Sequence, residues 1–300
     1  MTKIGLYVYQ LHLHDAESYK HVAISQTGKG SELNSFIPKF IANRTTANQN
    51  PDLQRSWRFD PAPQVGRTHH GLIRYGTFGF TSSIIDPSST IVAFKRKPDH
   101  IEEIPLYYHF WLPLNGHVGF VAFQSFGERS CVSAVLGDFT SSFNAAHNAV
   151  KFSPRKIMPA TDVTFKNATV KKVILSKKKV PKDRAEILKA LPPDEFNIEL
   201  SLSLKRRGRF GILSDVASTL RNAKEGSAFV IDGIEFDEAA ALVKVGTTYM
   251  RVGIIGPSNN AGVIDITDRV ALGPDQHPTL ASLQSVTTSV ISDFRQAFGM

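Results

Sequence analysis

The sequence has almost no cysteine. Cys131 stands alone in 300 residues, so no disulfide can close within the chain and no site of several thiolates can form. A chain this long without a disulfide fits a reducing compartment. Long apolar runs are also missing. Nothing approaches the roughly 20 residues that span a bilayer, and the longest stretches, such as Val118 to Phe123, are strand-sized. The opening MTKIGLYVYQLHLHD holds no apolar segment followed by a small-residue cleavage site, so no secretory signal is read there and a cytoplasmic protein is expected. Internal repeats, low-complexity tracts and heptad arrays are absent too.

What is present is ordinary globular material. Hydrophobic residues make up 42% of the chain and charged ones 21%, enough to bury one large core or two medium ones. Strand-like runs lie at Ile4 to Leu13, Leu72 to Phe80, Thr90 to Lys95, Val118 to Gln124, 162–176, 196–205, 228–234 and 248–255. The run 196–205 is the clearest, with Ile198, Leu200, Leu202 and Leu204 alternating with polar residues. Helical spacing follows Ser31 (Leu33, Phe36, Ile37, Phe40, Ile41) despite Pro38. It recurs over Glu128 to Asn144, in a short segment from Asp183 to Pro192, and from Ile212 to Gly226. It appears last over Leu280 to Phe298. Residues 45–70 are polar and contain proline, and read as a long loop. Strands and helices do not alternate as βαβ units. The expectation is an α+β fold of mixed or antiparallel sheets with packed helices, in two domains, 1–155 and 156–300.

The charge is unevenly spread. The chain carries +8 overall, yet residues 151–210 alone hold sixteen Lys and Arg against six acids, a net of +10, which leaves −2 for everything else. Two clusters are densest: Lys171, Lys172 and Lys177, Lys178, Lys179; then Lys205, Arg206, Arg207 and Arg209. Such concentration suits a polyanion, because each cation set near a phosphate releases condensed counterions. The second cluster precedes a helix, whose first N–H groups would also face phosphate, with Gly208 permitting close approach. Ser153-Pro154-Arg155-Lys156 matches short turns of minor-groove binders and adds Arg155 and Lys156. The competing reading makes these lysines solvated strand edges that block aggregation. Zinc-finger spacing, an aromatic RNA-binding motif and a recognition helix are all missing, so the expected partner is double-stranded DNA held by its phosphate backbone.

Catalytic chemistry finds little support. His12, His14 and Asp15 have metal-like spacing but no third ligand nearby in sequence, and His69-His70 falls in the polar loop. Cys131 sits on the apolar face of its helix and reads as a buried structural residue. Gly28-Lys29-Gly30-Ser31 lacks the first glycine of a phosphate loop, since Ile24 stands there. Asp232, Glu235, Asp237 and Glu238 are the acids that could hold magnesium, so a metal-dependent nuclease or another toxin acting on nucleic acid is the alternative function. Tyr107, Tyr108, Phe110, Trp111, Phe123 and Phe126 can stack on bases or fill a core. No catalytic residue, metal or cofactor is assigned.

The second half, in order, reads GHVGFVAFQSFG, the helix of Cys131 to Phe143, KFSPRKIMP, VTFKNATVKKVILSKKK, a short helix, FNIELSLSLKRRGR and GILSDVASTL. This succession resembles the RexA-like proteins of a lambdoid phage-exclusion system. It is similar also to the related DNA-binding subunit of the Kiwa antiphage system. The resemblance covers roughly 70–225 and rests on the order of elements. It implies an α+β protein that forms homodimers or larger assemblies and binds DNA with little sequence preference. Its role would be antiviral defence beside a membrane or effector partner.

Overall fold

The computed structural model describes residues 2–25, 31–157, 165–181, 195–205, 208–226, 229–231, 234–236, 238–255 and 262–300. They fall into two compact units. The first takes Met1–Lys156 and Ile266–Thr287, the second Ile157–Asp265 and Thr288–Met300. The units are not two consecutive halves of the chain, because 266–287 belong to the first.

The first unit contains β1 (Ile4–Asp15), β2 (His21–Val22), α1 (Glu32–Ala42), β3 (Asn48–Asn50), β4 (Arg55–Pro61), β5 (Thr68–Thr77), β6 (Ser82–Ile85) and β7 (Val92–Arg96). It continues with β8 (Glu102–Trp111), β9 (Gly119–Phe126), β10 (Arg129–Ser130), α2 (Val132–Ala146) and β11 (Val150–Lys156). Its main sheet runs β1-β9-β8-β5-β4-β3, with β2 and β11 on β1 and β10 on β9. Every pairing is antiparallel. Alternation sends Leu11, Leu13, Trp57, Phe59, Tyr108, Phe110 and Phe123 to one face. There they meet Leu33, Ile37 and Phe40 of α1 and Val135, Leu136, Phe139 and Phe143 of α2 in one core. The α2 residues recur at three- and four-residue spacing, the helical period that buries a single stripe. Helix α1 continues through Pro38.

Residues 45–70 are not a long loop. They hold β3, β4 and the start of β5, because Trp57 and Phe59 alternate with Arg58 and Asp60. The apolar pair is buried. The charged pair is tied across strands, Arg58 to Glu103 at 3.0 Å and Asp60 to Arg74 at 2.9 Å. The alternation sits among enough charge to hide a strand in a composition-based reading.

The second unit contains β12 (Thr169–Pro181), β13 (Glu195–Ser203), α3 (Leu213–Gly226), β14 (Phe229–Ile231), β15 (Ile234–Phe236), β16 (Glu238–Val245), β17 (Thr248–Ile255) and β18 (Val263–Asp265). It ends with the C-terminal part of α4 (Leu280–Ala297). Its sheet runs β13-β12-β16-β17-β18, and β14 pairs with β15 as a separate hairpin. Helix α3 packs on β12, β16 and β17. Val173, Leu175, Ala239, Ala241, Val243, Met250 and Val252 are buried. Phe165 packs edge-on to Phe294 and Phe298 of the terminal segment. Strand β12 begins at Thr169, after a turn in which the Ala168 N–H donates to the Phe165 carbonyl at 2.8 Å. The short helix expected from Asp183 lies outside the described residues. The described chain is thus a mixed α+β protein with antiparallel sheets and four helices.

Candidate nucleic-acid interface

Two basic stretches thirty residues apart in sequence meet at one corner of the second unit's sheet. Opposite β16 the pairing goes from Val170↔Val243 to Lys172↔Leu242, so Lys171 is the extra residue of a bulge. On the other side, Lys172 pairs with Ser203, where β13 ends. Beyond that point the neighbouring backbone is 210–212: the Phe210 N–H donates to the Val170 carbonyl and the Val170 N–H to the Gly211 carbonyl, both at 3.0 Å. The chain therefore leaves the edge after Ser203 and rejoins it at Phe210, and the excursion between carries Lys205 and Arg209 beside Lys171 and Lys172. Lys205 and Arg209 are exposed, and Lys171 and Lys172 half-buried. The Gly208 N–H closes a turn on the Lys205 carbonyl at 3.2 Å. A Cβ on Gly208 would sit 2.6 Å from that of Leu204, so glycine is needed there for a close approach within the chain. Arg206 and Arg207 lie outside the described residues.

Lys177 stands five residues along β12 from Lys172, about 16 Å away at strand rise. The backbone of Lys178 and Lys179 continues the strand. The lysines of β12 thus occupy two places and form no single patch.

Two further cations share the sheet's solvent face and escaped the sequence reading. Cross-strand registry aligns Lys172, Leu242 and Arg251 in one row and Thr169, Lys244 and Tyr249 in another. Lys244 Nζ lies 5.9 Å from the centroid of the Tyr249 ring, which is 43% exposed. Arg251 donates to Glu199 at 3.0 Å and reaches Ser176 Oγ at 3.5 Å. The alternation of Leu242, Lys244, Tyr249 and Arg251 with buried neighbours was the available signal.

The start of α3 is closed to phosphate, against expectation. The Leu213 and Ser214 N–H groups donate to the Ala168 and Lys166 carbonyls at 2.9 and 3.0 Å. Asp215 adds a negative charge to the first turn. Ser153 to Lys156 is likewise no turn but part of β11, paired with β1 through Pro154↔Leu11 and Arg155↔Gln10. Both basic residues there belong to the first unit. Arg155 is exposed. Lys156 is half-buried with Nζ 4.9 Å from the Tyr7 ring, and burial lowers its pKa.

The structure places most of the other candidates within its strands and core. His12, His14 and His21 gather with ring centroids 4.4–6.4 Å apart. Burial first, then the neighbouring His21, His14 and Arg155, push the His12 pKa down to about 4. Asp15 turns away to accept from Glu17 and Ser18, and no group able to hold a metal occurs among the described residues. His69 and His70 lie in β5, with His70 buried. Cys131 is fully buried ahead of α2, and burial pushes its thiol up to about 12. Tyr107, Tyr108, Phe110 and Phe123 are fully buried and fill the core. Glu238 lies on β16, while Asp232 and Asp237 are outside the described residues. Among the described residues no helix is long and apolar enough to cross a membrane.

No family model, curated protein or solved structure matches the chain.

Proposed function

We propose that the chain is a DNA-binding protein that grips the phosphate backbone of duplex DNA without reading sequence, and that it serves phage exclusion or antiviral defence. One observation supports the DNA reading above all: Lys171, Lys172, Lys205 and Arg209 come together at one sheet corner. Among the described residues no carboxylate lies within ion-pairing distance of any of the four. Lys172 and Lys244 extend the charge over the solvent face, and Tyr249 offers an exposed ring beside it. Lysine and arginine contacts to phosphate fix a protein on the duplex without reading base edges. The defence role, like a RexA-like fold, rests on the resemblance in the order of elements.

Affinity for a random duplex of about 30 base pairs, measured against salt, tests the DNA reading. Each phosphate contact contributes a slope of about −0.9 in log K against log salt. Replacing Lys171, Lys172, Lys205 and Arg209 with alanine together should flatten the slope by about three to four units and weaken all sequences alike. An unchanged slope rejects the corner as the site. Magnesium-dependent cutting of the duplex would replace the reading with a nuclease. The defence role is tested by plating phage on cells that express the chain, and unaltered plating counts against it.

A further inference from the structure

The face of the first unit's sheet turned away from α1 and α2 carries a cavity that the DNA reading does not use. Leu72, Arg74, Pro105 and Gln124 stand one residue out of step with Ile73, Leu106 and Phe123 of the core, so they point to that other face. Across from them lie the loop 273–279 and the start of α4. Together they enclose about 380 Å³, and every lining residue belongs to the first unit. Pockets for small molecules begin at roughly 300 Å³. Leu72, Pro105, Pro278 and Leu283 give this one apolar walls.

Gln124 sets a polar group into those walls. It is 1% exposed. The β8–β9 ladder ends at Tyr108↔Phe123, and just beyond it the Tyr107 N–H donates to Gln124 Oε1 at 2.9 Å. That bond fixes which end of the amide is oxygen. The Nε2 end is then a buried donor with no acceptor among the described residues. Holding Tyr107 accounts for one half of the side chain only, and a buried donor left unmade is unfavourable. His277, packed at 4.6 Å on the Phe126 ring, also lines the cavity, and its Nδ1 is likewise buried without a partner among the described residues.

The opposite wall is braced in place. The Gly273 N–H donates to the His277 carbonyl at 2.7 Å, the Gln276 N–H to the Gly273 carbonyl at 3.0 Å and the Thr279 N–H to the Ala271 carbonyl at 2.8 Å. Gln276 is held at φ +62°, the left-handed region that side chains seldom adopt. A cavity with fixed walls loses little conformational entropy when a ligand enters. Its charges are already spent. Arg74 donates from Nε and Nη2 to Asp60 at 3.2 and 2.9 Å, and Asp275 is exposed and accepts the His277 N–H at 3.1 Å. An anion would find no free cation here, and the Gln124 donor disfavours a cation. The first turn of α4 holds no acid, so its partial positive charge favours an oxygen on the ligand.

We propose that the cavity binds a small uncharged organic molecule, which sets a carbonyl oxygen on Gln124 Nε2 and an apolar body against Leu72, Pro105, Pro278 and Leu283. The inference stands on the first unit alone and is independent of the DNA reading.

Titration of the full chain with acetophenone, followed by the protein's methyl resonances, tests it against toluene, which lacks the acceptor, and benzoate, which is charged. A molecule of about nine non-hydrogen atoms binds weakly, so a Kd on the order of 1 mM is expected for acetophenone. Toluene and benzoate should bind about tenfold more weakly. Gln124→Leu should bring acetophenone down to the affinity of toluene and leave toluene unchanged. No response to acetophenone up to about 5 mM overturns the proposal, as does toluene binding equally well. Benzoate binding more tightly overturns the assignment to an uncharged ligand. A preference for acetophenone that survives Gln124→Leu removes Gln124 from the site. Should that variant fail to fold, Leu72→Trp, at a half-buried strand position, fills the cavity and should abolish binding of both probes. Acetophenone binding unaltered by Leu72→Trp overturns the site.

Discussion

The two units treat charge and ring systems in opposite ways. All ten histidines and both tryptophans lie in the first unit. Five of its arginines are neutralised in place: Arg44, Arg58, Arg74, Arg96 and Arg129 each face a carboxylate at 2.6–3.0 Å. Its core interlocks aromatic rings from both helices and the sheet. The second unit has no histidine and no tryptophan. Its sheet centre is the small run Ala239, Ala240, Ala241, and the cations of its sheet corner have no acidic partner among the described residues. Unpaired like charges held close together repel one another, and a polyanion relieves that cost. The charge of these five arginines is therefore structural, and the charge of the second unit's sheet corner is what a partner would use.

Core substitutions should separate the units most strongly. Phe139 is fully buried and contacts the rings of Phe36, Phe40, Phe110, Phe143 and Phe152. Phe139→Ala should cost the first unit about 3–5 kcal/mol, read from urea unfolding followed by tryptophan fluorescence, which reports that unit alone. A loss below about 1 kcal/mol would mean the rings are not packed as described. The second unit should fail in the reverse sense, by addition. Ala241 is fully buried at the centre of its sheet, and Ala241→Leu should cost about 1–3 kcal/mol through overpacking. The fluorescence midpoint should hold while the circular dichroism midpoint falls. A shift of both together would show that the units unfold as one.

Acid should also distinguish them. His109 is 2% exposed, with its Nδ1 3.1 Å from the Tyr107 hydroxyl. Burial first, then His70, push its pKa down to about 3. The unfolded chain takes up this proton near pH 6.5 and the folded one refuses it, so stability is full above 6.5 and falls as pH drops toward the folded value. The slope is up to about 1.4 kcal/mol per pH unit for such a group. His109→Gln should flatten the fluorescence-detected stability between pH 6.5 and 4.5. An unchanged slope would put the acid sensitivity on other residues, such as His12.

Elements whose apolar period matched their burial were legible in the sequence. Helices α2 and α4 each declared one face, whereas β13 formed as a strand but without the buried face its alternation predicts: Ile198 and Leu200 are half-buried and Leu202 and Leu204 exposed. What failed had a physical reason in each case. Strand β4 alternates two aromatics with charged residues whose partners, Glu103 and Arg74, lie on other strands. The basic corner was visible as two clusters, but their meeting depends on the chain leaving the sheet after Ser203 and returning at Phe210, a pairing no local pattern encodes. The first N–H groups of α3 looked free because their acceptors, Lys166 and Ala168, are carbonyls some 45 residues away. Lys244 and Arg251 were missed because neither stands in a cluster, and only cross-strand registry aligns Arg251 with Lys172.

Arg251 offers the smallest and sharpest test of the contrast, since it is a basic residue of the second unit's face with an acidic partner. It is 22% exposed and bound to Glu199, which is 53% exposed. An exposed pair of this kind is worth about 0–1 kcal/mol, so Glu199→Gln should leave the fold intact. It removes the one acid that holds the guanidinium and frees a cation in the row of Lys172. If phosphate tracks along that row, the salt slope should steepen by about one unit and low-salt affinity should rise a few-fold. No change would confine the footprint to Lys171, Lys172, Lys205 and Arg209. A loss of affinity would mean that Glu199 positions Arg251 for its contact, and the division between neutralised and free charge would then have to be drawn inside the second unit as well.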